Sequence, residues 1–227
     1  MAFHQFVKEL EGGRVEGILL QTAILSLITS FIILGVLYAL VLRSIDNFIG
    51  RYGLPLLLAA VSTALLMPAV KQVRTYRKLA CMPGMMVGMI IGMISGFLAG
   101  YAVGMTNGMF IGSLWGMAVG ISLGVLTGLC CGVMGLLEGI MAGFMSGLMG
   151  AMTAVMLLND HVVAMGIIIF GISSAIILGL NYMMFTEMRK EHDGLPKGDS
   201  LAVYLTAAII SLTTVLVAYG PRSVLFR

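Results

Sequence analysis

Of the 227 residues only 10% are charged against 59% hydrophobic, the net charge is +3 and the mean hydropathy is +1.06. A soluble domain of this size carries about a quarter of its residues as charge, so a water-soluble globular fold is excluded. The small net charge, with basic residues beside apolar runs, orients a membrane protein and does not suggest nucleic-acid binding.

Between Lys78 and Asp160 the only charged residue is Glu138. In a bilayer every backbone polar group must be satisfied within the segment, which leaves helices or a closed barrel. Barrel strands alternate apolar and polar residues, whereas these runs are continuous. The fold class is therefore all-α, a polytopic transmembrane helix bundle of about seven spans forming a single membrane domain over residues 1–227.

Residues 1–16 form a cytoplasmic or interfacial N-terminus in which Phe3, Phe6, Val7 and Leu10 suit a short interfacial helix. The first apolar run is too long for a cleavable signal peptide and reads as an uncleaved anchor. Spans of roughly 20 apolar residues follow. The first runs from Gly17 to Leu42, ended by Arg43. The second runs from Tyr52 to Val70 and is short, with Pro55 near its start and Pro68 near its end; with the basic loop Lys71, Arg74, Arg77 and Lys78 these two occupy 17–78. The Gly/Met-rich tract Ala80–Leu158 divides into three helices within 79–158, broken at Thr106-Asn107-Gly108 and at Cys130-Cys131-Gly132. The last two spans, Val162–Phe185 and Leu201–Tyr219, lie in 159–227 on either side of a polar loop.

Counting Lys and Arg orients the bundle. With the N-terminus inside, the inner loops collect Lys8, Arg14, Lys71, Arg74, Arg77, Lys78, Arg189, Lys190 and Lys197, and the outer side only Arg43, Arg51, Arg222 and Arg227. The positive-inside rule then predicts a multi-pass cell-membrane protein with its N-terminus cytoplasmic and its C-terminus outside.

Glycine recurs at every fourth position from Gly84 to Gly132 and again at Gly135, Gly139, Gly143 and Gly147. Such small-xxx-small patterns let helix backbones approach closely, so Gly88, Gly92, Gly96, Gly112, Gly116, Gly120, Gly139, Gly143 and Gly147 are candidate helix-packing residues. Each step advances about 40° beyond a full turn, so the groove winds around its helix. The alternative, glycines that line a pathway or permit sliding, stays open.

Of the twenty methionines, fourteen lie between Met82 and Met156. In the third ladder helix Met134, Met141, Met145, Met149, Met152 and Met156 fall with Glu138 within about 80° of one another, opposite the glycines. In the first, Met82, Met85, Met86, Met89 and Met93 share a face. Methionine is a flexible apolar filler, and such a stripe can face lipid or a neighbouring helix. Thioethers and thiolates are also soft ligands suited to Cu(I). On the predicted topology Cys81, Cys130 and Cys131 reach one cytoplasmic level beside Met82, Met85 and Met134. The candidate ligand set is Cys81, Met82, Met85, Met89, Met93, Cys130, Cys131, Met134, Glu138, Met141 and Met145, with Asp160 and His161 near the outer mouth of a methionine-lined path. A lone ionisable residue in a span is by default a functional site, and Glu138 suits a cation or a proton. Its position about two turns into the helix also lets it reach interfacial water. Asn181 suits an interhelical hydrogen bond.

Met85-x3-Met89-x3-Met93 in one helix, followed by Gly108-x3-Gly112 in the next, resembles the second and third helices of Ctr-type copper transporters, over two helices of the seven. The resemblance implies a way for thioethers to ring a Cu(I) path. Ctr proteins have three spans, so it is an analogy of parts and not family membership.

Catalysis is not expected. There is no Ser/His/Asp arrangement, no His cluster for zinc or haem and no phosphate loop, and Cys130-Cys131 lacks the C-x-x-C spacing of redox pairs. Two functions fit: a transporter or channel for a soft metal cation such as Cu(I), or a non-catalytic structural or assembly subunit packed through the glycine ladder. The expected partners are the lipid bilayer and a homo-oligomer or larger membrane complex, without nucleic acid.

Overall fold

The computed structural model describes residues 15–40, 48–75, 81–129, 132–158, 160–188 and 200–220. They form seven helices: α1 (Val15–Leu40), α2 (Phe48–Thr75), α3 (Cys81–Asn107), α4 (Met109–Gly128), α5 (Gly132–Met156), α6 (Val162–Met188) and α7 (Ser200–Tyr219). There is no strand among the described residues. Six helices are long and apolar enough to cross a membrane, and α7 contributes the shorter apolar stretch Val203–Tyr219. The fold is a transmembrane helix bundle. The N-terminal residues Phe3, Phe6, Val7 and Leu10 lie outside the described residues.

The two expected breaks in the glycine tract fall at Gly108 and Gly132, and both residues have positive φ, 96° and 72°. That conformation costs an L-residue but not glycine. At Gly108 the backbone hardly interrupts its hydrogen bonding: Gly108 N–H donates to Gly104 O (3.3 Å) and Gly112 N–H to Gly108 O (3.0 Å). The second span differs from expectation. It runs on through Pro55 and Pro68 as one helix of 28 residues. Proline is tolerated inside a membrane helix where neighbouring helices enclose it, and α2 packs against α1, α3, α6 and α7.

Helices α3, α4 and α5 form an inner group held backbone to backbone. Its glycines stack in layers: Gly88 with Gly128 and Gly135, Gly92 with Gly124 and Gly139, Gly96 with Gly120 and Gly143, and Gly100 with Gly116 and Gly147. A further layer joins Gly104, Gly112 and Ala151. A methyl group added at Gly116 would sit 2.8 Å from Gly100 Cα and 2.9 Å from Gly147 Cα. One at Gly120 would sit 2.9 Å from the Cα atoms of both Gly96 and Gly143. The pairing of α3 with α4 is a reflection about Gly108. Because the four-residue repeat crosses the turn without losing phase, folding the chain back there sets glycine against glycine at every step.

The buried side of α5 consists of Gly135, Gly139, Ala142, Gly143, Ser146, Gly147, Gly150, Ala151 and Ala154, nothing larger than serine. Its attachment comes from dispersion and Cα–H···O contacts at close range. One side chain adds an interhelical hydrogen bond, Ser146 Oγ donating to Gly92 O at 3.3 Å.

The other side of α3 is aliphatic. Val87, Ile91, Ile94 and Leu98 join Leu66, Val70 and Val73 of α2 and Ile177, Leu180 and Met184 of α6 in the main apolar cluster. Tyr101 Oη donates to Val162 O and ties α3 to the start of α6. A second group comprises α1, α2 and α7, all in mutual contact. Its upper layer packs Leu34 and Leu37 of α1 with Leu56 of α2 and Val217 and Ala218 of α7. Buried hydroxyls of α1, α2 and α7 lie below that layer.

Candidate functional site

The geometry of α5 follows from its two faces. With the glycine face locked against α3 and α4, the opposite side looks outward. Met134, Met141, Met145, Met149, Met152 and Met156 all lie there, with Met141, Met145 and Met149 exposed by 65%, 61% and 63%. Glu138 is half-buried on the same face. Met134 lies four residues before it and Met141 three after, the spacings that make side chains neighbours on a helix surface. Two thioethers therefore flank one carboxyl group.

The glycine layers also fix depth. Gly92 is set against Gly139, where a methyl on Gly92 would meet Gly139 O at 3.3 Å. Met89 and Met93 of α3 consequently lie within about one turn of the depth of Glu138. Both are exposed, as is Met86, while Met85 is half-buried. Seven candidate ligands (Met85, Met89, Met93, Met134, Glu138, Met141 and Met145) thus occur on the outer surfaces of two parallel, abutting helices.

Cys130 and Cys131 lie outside the described residues, as do the side chains of Cys81 and Met82. Among the described residues no three His, Cys, Asp or Glu side chains gather as metal ligands. Asp160 and His161 are exposed in the α5–α6 link, where Asp160 Oδ1 accepts the His161 backbone N–H at 2.8 Å. From Glu138 to Met156 the helix rises about 27 Å, so this pair and Glu138 occupy opposite ends of α5. Asn181 is half-buried with no protein partner for its Oδ1.

All nine of the candidate packing glycines line the seam of α3, α4 and α5. The seam is closed by backbone contact, and the methionines of α5 point away from it. A methionine-lined path therefore does not run between these three helices.

Sequence reasoning passed over one pattern. Between positions 21 and 39 of α1, only Thr22, Ser26 and Ser30 are buried. Their four-residue spacing repeats in hydroxyls what the ladder does in glycine, and the signal was legible at Thr22, Ser26 and Ser30 in the sequence itself.

This arrangement defines a polytopic helical membrane protein with a rigid glycine-packed group and an outward methionine–carboxyl face. Comparisons with protein-family models, with curated proteins and with solved structures find no match to this chain.

Proposed function

We propose that the protein is a transporter or channel for a soft metal cation such as Cu(I), and that its path forms between copies that bring their α5 faces together. The observation that supports this reading is the outward face of α5, with six methionines and Glu138 on one side. Copies in a membrane share one orientation, so an oligomer about an axis along the membrane normal stacks identical residues at one depth. The Glu138 carboxyls then make a ring, and Met141, Met145 and Met149 make rings about 6 Å apart. Rings of carboxyls select cations, and thioethers suit Cu(I). The excess of Lys and Arg in alternate loops assigns the N-terminus to the cytoplasm. With no nucleotide-binding motif, flux follows an ion gradient or a partner.

The test is silver(I) uptake into vesicles containing the purified full-length chain, alongside its oligomeric state in the bilayer. Uptake is expected, abolished by Glu138→Ala and reduced at least tenfold by the pair Met141→Leu and Met145→Leu. Ile168→Ala, on an exposed position of α6, leaves it unchanged. Uptake indifferent to Glu138→Ala overturns the reading.

A second reading is a non-catalytic assembly subunit whose α5 face docks a partner helix. It is favoured by the same backbone lock, which presents that face rigidly. Oligomers that form but carry no silver(I) would select it.

A further inference from the structure

The hydroxyl-lined group poses a physical question that packing alone does not answer. Below the layer of Leu34, Leu56 and Val217, the three helices can be placed by depth. Leu205 and Ile209 of α7 pack against the cluster containing Leu66, Val70 and Val73 of α2, so α7 runs antiparallel to α2. Eight residues down from Leu34 is Ser26, about 12 Å by helical rise. The same distance down α2 from Leu56 reaches Ala64, next to Ser62 and Thr63, and down α7 from Val217 reaches Ile209, between Thr206 and Thr213. Hydroxyls of all three helices therefore lie at one depth, near the middle of α1.

Most of these hydroxyls spend their proton within their own helix. Ser30 Oγ donates to Ser26 O (2.6 Å), Ser62 Oγ to Ala59 O (2.8 Å) and Thr63 Oγ1 to Ala60 O (2.9 Å). On α7, Thr206 Oγ1 donates to Val203 O (2.7 Å) and Thr214 Oγ1 to Ile210 O (2.7 Å). What they offer across the junction is lone pairs. Ser26 Oγ, by contrast, is buried with no protein partner, and it belongs to the one face that α1 turns to α2 and α7. Burying an amide or hydroxyl unpaired is strongly unfavourable, and the neighbouring group of this same protein shows that glycine and alanine pack helices without incurring it.

We propose that the junction of α1, α2 and α7 holds water at membrane depth, at Ser26 Oγ. Water supplies the donors that the acceptor-only hydroxyls lack and satisfies the orphaned Ser26 Oγ. It gives the bundle a polar site separate from the methionine face.

The test places a cysteine at position 26, as Ser26→Cys, in the full-length chain with Cys81, Cys130 and Cys131 changed to serine. A hydrophilic methanethiosulfonate reagent attacks only the thiolate and so reports water at the thiol. Labelling at least tenfold faster than at Ser146→Cys, buried in the glycine seam, and at Ile32→Cys, facing lipid, is expected. A rate equal to either control overturns the proposal. If the serine-substituted chain fails to fold, thermal unfolding of Ser26→Ala in the otherwise native chain decides. In a dry junction, removing an orphaned hydroxyl raises the melting temperature. Where water bridges it, the melting temperature falls.

Discussion

Two groups of three helices in one chain meet the same demand with different chemistry. Between α3, α4 and α5 the contact is glycine on glycine, and the largest side chain on the buried side of α5 is serine. Between α1, α2 and α7 an apolar layer gives way to hydroxyls, with Thr22, Ser26 and Ser30 the buried residues of α1 between positions 21 and 39. In lipid, apolar side chains gain little by leaving their surroundings, so association rests on close fit and on interhelical polar contact. The glycine group relies on fit, with a single interhelical side-chain hydrogen bond described, Ser146 Oγ to Gly92 O. The difference teaches where tolerance lies: a seam built from absent side chains has no slack, whereas a seam of small polar side chains can exchange partners.

The sharpest way to break the comparison is to add one methyl group inside the glycine seam and one outside both groups. Gly116→Ala forces a Cβ to within 3 Å of backbone atoms on both neighbouring helices, atoms that cannot rotate aside. Overpacking of this kind costs about 1–3 kcal/mol, and more where backbone must move. The melting temperature in mild detergent should fall clearly. Gly171→Ala in α6, where an added Cβ meets nothing within 4 Å, should be neutral or stabilising, since alanine favours the helix by up to about 1 kcal/mol. Equal losses at the two sites would mean that the glycine layers are not what holds the inner group.

Much of this contrast was legible in the sequence, and the reason is periodicity. The unbroken four-residue repeat across Thr106-Asn107-Gly108 encodes both the hairpin and its register. The segregation of methionine from glycine in residues 134–156 places Glu138 on the face away from the seam. The second helix was less legible, because Pro55 and Pro68 read as end signals when their surroundings are unknown. In a helix packed on several sides they do not terminate it. The neighbourhood of Ser26 was illegible for a different reason. It depends on which helices adjoin α1, and no pattern within one span carries that. Nor does a stripe of methionines reveal by itself whether it turns inward or outward; the glycine seam decides it.

A smaller effect probes the joint between the two groups. Asn107, at the end of α3, donates through Nδ2 to Leu216 O near the end of α7, which links the glycine group to the hydroxyl group. Asn107→Ala removes that bond and also the unpartnered Oδ1 beside it. The two changes oppose each other, so the net loss should be about 1 kcal/mol or less. A double variant with Gly116→Ala tests whether the regions are coupled. Additive losses mean that they melt as independent contributors, and a departure of more than about 0.5 kcal/mol means that they share strain through α3.

The smallest expected change in stability falls on the face with the most interesting chemistry. Met145→Leu conserves volume on a side chain that is 61% exposed. No neighbour on α3 or α4 constrains it, so the shift in stability should stay within about 0.5 kcal/mol. Leucine is as apolar as methionine and as good a helix former, and it lacks only the sulfur. A lipid-facing stripe would accept it, and so would a partner helix with modest repacking. A soft-cation path would not, because one ring of thioethers would be gone. Unfolding and silver(I) uptake measured on this one variant therefore separate what the face contributes to the fold from what it does. Stability unchanged with uptake reduced keeps the soft-cation reading, and stability and uptake both unchanged leaves the methionines as packing or lipid-facing side chains.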